Sequence, residues 1–137
     1  MKMIIRTDSL PWAIDERLRI LLQREVDSFN IEGNRGVLLN YRDPDCDHDN
    51  RDFHPVEIAL DADGSIKCIS DFALYGTPPS EVRGESIDFD FGLKEFHHFS
   101  EGYHIEEGQD LYKLWEQDFL RHYEMSVYRL VTVTVLR

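Results

Sequence analysis

Asp43, Asp45, Asp47, Asp49 and Asp52 crowd five carboxylates into one short run, YRDPDCDHDNRDFH, alongside Cys46, His48 and His54. Carboxylate oxygens are the ligands of calcium and other hard cations, while imidazole and thiolate suit zinc and other transition metals. The spacing argues against both uses. Counted from Asp45, the sixth position of an EF-hand loop is Asn50 and the twelfth is Val56, so the turn glycine and the bidentate glutamate are missing. Asp61, Asp63, Gly64 and Ser65 resemble half of such a loop, but the alternating residues on either side make them hairpin turn chemistry. His48, His54, His97, His98 and His104 match no closed zinc spacing, and the adjacent His97 and His98 would point to opposite faces of a strand. No metal and no cofactor is expected.

Catalytic patterns are equally sparse. There is no glycine-rich phosphate loop, nucleophile elbow or HExxH helix. Asp52, His54 and Glu57 could support a metal-dependent or acid/base enzyme if folding brings them together, and that is the alternative reading. The leading expectation is an acidic binding or adaptor domain without catalysis, in which Asp43, Asp45, Asp47, Asp49, Asp52 and His54 form the surface that docks a protein partner.

Charge supports that choice. Against 15 basic residues stand 27 acidic ones, a formal charge of −12 that opposes phosphate backbones and favours a partner with a basic surface. Nucleic acid is not an expected partner. Nor is membrane insertion, because no run nears the roughly 20 apolar residues of a spanning helix and the apolar run within the start MKMIIRTDSLPW is too short for a secretory signal. Two cysteines make no disulfide framework, and Cys68 sits in a strand pattern as a small hydrophobe, so the expected compartment is the cytoplasm.

The elements that must position these residues follow from periodicity. Leu10, Ile14, Leu18, Leu21, Leu22, Val26 and Phe29 predict a helix over 10–29, with Ser9 as its cap and Pro11 in its first turn. Val37, Leu38, Leu39 and Tyr41 suit a buried strand. Val56, Ile58 and Leu60 alternate with polar residues and, after Asp63 and Gly64, Ile66, Cys68, Phe72 and Leu74 return as the second arm of a hairpin ended by Pro78 and Pro79. Ile87, Phe89 and Phe91 alternate with Asp88 and Asp90, predicting a strand with a solvated acidic face that discourages edge pairing. A short strand is expected over 96–99. Leu111, Leu114, Trp115 and Phe119 stripe a helix over 107–122, and the VTVTV run within 125–136 is strand composition.

The spans 43–52 and 76–84 read as loops. At 137 residues, without repeats or a shift in composition, the chain is expected to form a single domain over 1–137. Consecutive hairpins without regular crossover helices predict an α+β fold: a twisted antiparallel sheet of about five to seven strands, with an N-terminal helix and a C-terminal helix followed by a last strand. An open sheet of this kind also makes a homo-oligomer an expectation.

The runs LLNYRDPDCDHDNRDFHPVEIAL and FDFGLKEFHHFSEGYHIEEGQDLYKLWEQDFLRHYEMSVY resemble the bacterial domain-of-unknown-function family numbered 2787. The resemblance covers most of the chain from about Val37, and FHPVEIAL paired with GLKEFHHF is its more specific part. It implies a fold similar to the acidic mitochondrial matrix proteins that bind complement, in which helices flank a strongly twisted antiparallel sheet and the subunits assemble as trimers. The family has no established catalytic residues, so the resemblance assigns none here.

Overall fold

The computed structural model describes residues 2–31, 33–44, 54–75, 82–98 and 101–136. Helix α1 (Glu16–Ser28) is followed by strands β1 (Val37–Arg42), β2 (Val56–Leu60), β3 (Ile66–Tyr75), β4 (Val82–Asp90), β5 (Glu95–His98) and β6 (Glu101–His104). A 3-10 turn (Ile105–Gly108) leads into helix α2 (Gln109–Glu124), and β7 (Leu130–Val135) comes last. The seven strands pair antiparallel in the order β6-β5-β4-β3-β2-β1-β7. Thus β1 to β6 form a meander, and α2 carries the chain back so that β7 joins the far side of β1. The expected α+β architecture is borne out.

The strand period sorts side chains by face. One row across the sheet is apolar: Val133, Leu39, Ile58, Ile69, Phe89, Phe96 and Tyr103 are successive register partners. Against that face α2 buries Tyr112, Trp115, Phe119 and Leu120, and α1 contributes Leu18, Leu21, Leu22 and Val26 to the core. Ring contacts stitch the layers: Phe89 meets Tyr112 edge-on at 5.3 Å and Tyr41 meets Phe119 edge-on at 5.2 Å. The neighbouring row is polar and faces the other way: Thr132, Asn40, Glu57, Ser70, Asp88 and His97.

Several boundaries differ from the sequence pattern for identifiable reasons. Helix α1 starts at Glu16, capped by Asp15, whose Oδ1 accepts from the Arg17 amide at 2.8 Å, and not near Ser9 and Pro11. Upstream, Trp12 packs into the core against Phe91 and Tyr112, and the Asp15 amide donates to the buried Glu116 carboxylate at 3.0 Å. Tertiary partners therefore hold 10–15 off the helical path, although Leu10 and Ile14 still pack on the core. Strand β4 begins at Val82, so 82–84 is sheet and not loop; it lies between β3 and β5, so its aspartates guard no edge. Asp88 is also not fully solvated: it accepts from Ser70 Oγ at 2.9 Å, and burial lifts its carboxyl above the usual range. The sequence pattern passed over β6 altogether, and Pro78 and Pro79 lie outside the described residues.

Tyr41 is wholly buried, yet its hydroxyl has no hydrogen-bond partner among the described residues. Burying an unsatisfied hydroxyl is costly. Tyr41→Phe is therefore expected to raise stability by about 1 kcal/mol, read as a higher urea midpoint at unchanged slope.

Candidate functional site

A cleft of about 380 Å³ opens between the sheet and α2. Its helix wall is a single stripe, Leu111, Leu114, Trp115, Asp118, Phe119 and His122, produced by the helical period. Its sheet wall is His54, Asp71 and Ile87, and Tyr128 lies at the cleft from the connection between α2 and β7. Apolar and aromatic surface thus makes one side, with carboxylate and imidazole groups among it.

The sheet wall is shaped by an irregularity. Asp71 pairs with Ile87 but Phe72 pairs with Glu85, so Ser86 is an extra residue on β4. Its hydroxyl turns back to donate to the Asp71 carbonyl at 3.1 Å and to Asp71 Oδ1 at 3.3 Å. The same Oδ1 lies 2.9 Å from His54 Nδ1. Just beyond His54, the Pro55 carbonyl accepts from the Phe72 amide at 2.9 Å, which ties the start of β2 to β3 beside Asp71.

These contacts tune the two imidazoles in opposite directions. The hydrogen bond to Asp71 raises the His54 pKa, with burial opposing it, while burial lowers that of His122. Burial also pushes the Tyr128 hydroxyl up, reinforced by the charges of Asp71, Asp118 and Asp43. Folding therefore holds a proton on His54 more tightly, so its stabilising contribution is complete below about pH 6.5 and is lost as pH rises through the raised folded value. His54→Gln is expected to remove that loss, flattening the stability profile of the wild-type chain above pH 6.5 in urea titrations. A profile unchanged by the substitution would count against a charged His54–Asp71 pair.

The arrangement can grip a ligand or hold a proton, but it is not a nucleophile relay. Ser86 donates to Asp71 and not to His54. Among the described residues, no three or more His, Cys, Asp or Glu side chains group so as to hold a metal ion. The trio Asp52, His54 and Glu57 does not converge in the way its sequence proximity suggests. His54 faces the cleft, whereas Glu57 sits in the polar row on the opposite face, accepting from Asn40 Nδ2 at 3.0 Å, and Asp52 lies outside the described residues.

Asp45, Asp47, Asp49, Cys46 and His48 also lie outside the described residues. Asp43 is described: its side chain is only 9% exposed and sits 3.7 Å from Arg129. His97 lies beside Asp88 at 3.9 Å, in the polar row, and His98 pairs with Ile87 on the other, as strand alternation requires. The cleft residues missed from sequence are Asp71, Asp118 and His122. Asp118 and His122 did carry a signal, since they continue the Leu111, Leu114, Trp115 stripe at helical spacing.

Residues 16–134 match the family described as Protein of unknown function (DUF2787). The chain belongs to that family. Solved structures with this fold include two of Vibrio cholerae proteins, each 28% identical to this chain. The hypothetical protein VC0508, from the VSP-II pathogenicity island, superposes with a TM-score of 0.78, over 95% of this chain and 98% of its own. The conserved hypothetical protein VC1805, from pathogenicity island VPI-2, superposes with a TM-score of 0.77, over 95% of this chain and 99% of its own. VC1805 is described as sharing structural homology with the human P32 protein. No curated protein matches the chain. For this DUF2787 member, no helix among the described residues is long and apolar enough to cross a membrane.

Proposed function

We propose that this chain, as one domain over 1–137, is a noncatalytic binding or adaptor domain of the cytoplasm that engages a basic segment of a protein partner. The observation that carries this reading is the cleft along α2, whose lining combines the carboxylates of Asp71 and Asp118, the latter 2.7 Å from Arg121, with the apolar Leu111, Leu114 and Trp115. A lysine or arginine side chain has the matching form, an apolar stem with a cationic head that pairs with carboxylates and lies well on aromatic rings. The formal charge of −12 steers such a segment toward the domain, and Asp43, Asp45, Asp47, Asp49 and Asp52 add acidic charge in the run that leads to His54.

The test is titration of a labelled lysine- and arginine-rich peptide, with an acidic peptide of equal length as control. Binding is expected for the basic peptide alone and should weaken as salt rises. Asp118→Asn should weaken it about three- to five-fold, the value of one exposed charge pair. Equal binding of both peptides, or affinity indifferent to salt, would refute the reading.

The 2.9 Å contact between His54 and Asp71 favours one second reading, an acid/base enzyme whose pair is His54 with Asp71 in place of Asp52 and Glu57. Turnover of any substrate that survives His54→Gln undiminished would eliminate it.

A further inference from the structure

We propose that β7 is the edge on which a second copy of this chain docks, by antiparallel pairing of β7 with itself about a twofold axis at Val133. Strand β7 ends the sheet order, and no described strand lies beyond it. Natural sheet edges are normally protected by charge, proline, a bulge or brevity. The opposite edge follows that rule, since β6 has four residues, EGYH, and includes an acid. Strand β7 does not: LVTVTV carries no charge and no proline, and its register with β1 runs unbroken from Leu130 to Val135. Leu130 and Val135 are 44% and 46% exposed.

The backbone geometry is self-complementary. The Leu136 amide donates to the Gly36 carbonyl at 2.7 Å, and this pair continues the register of Val37 with Val135. Hydrogen-bonded and non-hydrogen-bonded pairs alternate along an antiparallel ladder. Thr132 and Thr134 therefore turn their amides and carbonyls toward β1, and Val131, Val133 and Val135 turn theirs outward. A twofold axis at Val133 sets Val133 opposite Val133 and Val131 opposite Val135, so the outward donors and acceptors of both copies meet. The side chains agree, with valine facing valine on the α2 side and threonine facing threonine on the other. On the α2 side the edge also has a groove of about 350 Å³ bordered by Phe29, Ile31, Val133 and Val135, beside which the second copy's valines would pack.

Charge selects the same edge. Residues 125–137 include Arg129 and Arg137 but no aspartate or glutamate, in a chain whose net charge is −12. The segment thus brings no carboxylate side chain of its own to a contact between two acidic molecules. A five-residue strand pairing is a small interface, so the dimer is of the weak, concentration-dependent class. Long-range repulsion between the copies is screened by salt, so association should strengthen as salt rises, opposite to the docking of a basic peptide. The two proposals can therefore fail separately.

The test combines sedimentation with amide hydrogen exchange across a concentration series. A monomer–dimer equilibrium is expected, strengthened by salt, in which the amides of Val131, Val133 and Val135 slow with concentration while those of Thr132 and Thr134 do not change. Val133→Pro removes an outward amide and none that bonds β1, so it should abolish the dimer in a chain that keeps its far-UV circular dichroism. A monomer at every concentration, or a dimer with no change in the three valine amides, would overturn the proposal. These wild-type readouts decide the matter even if the proline variant fails to fold.

Discussion

Phe119→Ala is expected to destabilise the chain by about 3–5 kcal/mol, a large share of the roughly 5–15 kcal/mol that holds a domain of ordinary size. The ring is 1% exposed and lies at the junction of α2, β1 and the connection to β7. It stacks on Trp115 at 5.1 Å and on Tyr128 at 5.3 Å, and receives Tyr41 edge-on at 5.2 Å. Those neighbours belong to separate elements, so no single side-chain rotation fills the space that truncation leaves. Because Phe119 also lines the cleft, a folded Phe119→Ala chain should bind the basic peptide less tightly than the wild type. Urea unfolding measures the first effect. A loss below about 1 kcal/mol would mean that the aromatic cluster is not the centre of the core.

Gly64→Ala is expected to be comparably damaging, through the backbone. Gly64 turns the β2–β3 hairpin at a φ of +89°, a conformation that costs about 1–3 kcal/mol for a residue with a Cβ. A Cβ there would also lie 1.9 Å from the carbonyl oxygen of Ile4 and 2.8 Å from its carbonyl carbon. Backbone cannot swing aside as a side chain does, so the N-terminal segment would have to lift. That segment buries Met3 and Ile5 and donates from the Arg6 amide to the Gly64 carbonyl at 3.0 Å. The substitution should therefore lower the unfolding midpoint and speed exchange at Ile5 and Arg6. Gly92→Ala is the control: its Cβ would meet Asp90 Oδ1 at 3.4 Å, ordinary contact, and the cost should stay within about 0.5 kcal/mol.

The two substitutions mark different depths of legibility. Gly64 was readable as a turn, because Asp63-Gly64 between alternating apolar runs is local chemistry; the Asp61 amide donates to the Ser65 carbonyl at 2.9 Å, as a hairpin closing there requires. What could not be read was the reason the position admits nothing larger, since Ile4 is distant in sequence. The stripe of Leu111, Trp115 and Phe119 announced a helix. It did not announce that Asp118 and His122 would share a cleft with residues of β3 and β4.

The candidate site divides in the same way. His54 was singled out from its place in an acidic run, and the structure lines the cleft with it. Glu57 does not join it because Glu57 lies in the polar row of β2, whereas His54 precedes that strand and lines the cleft; the neighbour His54 meets, Asp71, is brought near through pairing of β2 with β3. Likewise, α1 begins late because Trp12 and Asp15 answer to Tyr112 and Glu116, which lie far along the chain.

The sequence by itself determined what short-range periodicity and composition can carry: the fold class, the antiparallel meander with its helices, the turn at Gly64, the acidic charge and the membership of DUF2787. Only the tertiary structure decided which face each described charge occupies, the His54–Asp71 contact, the cleft under α2 and the place of β7 at the end of the sheet order. The division is physical. A hydrophobic period reports how one element faces its core, whereas strand register and helix docking arise from contacts between elements, and it is those contacts that bring distant side chains into one site.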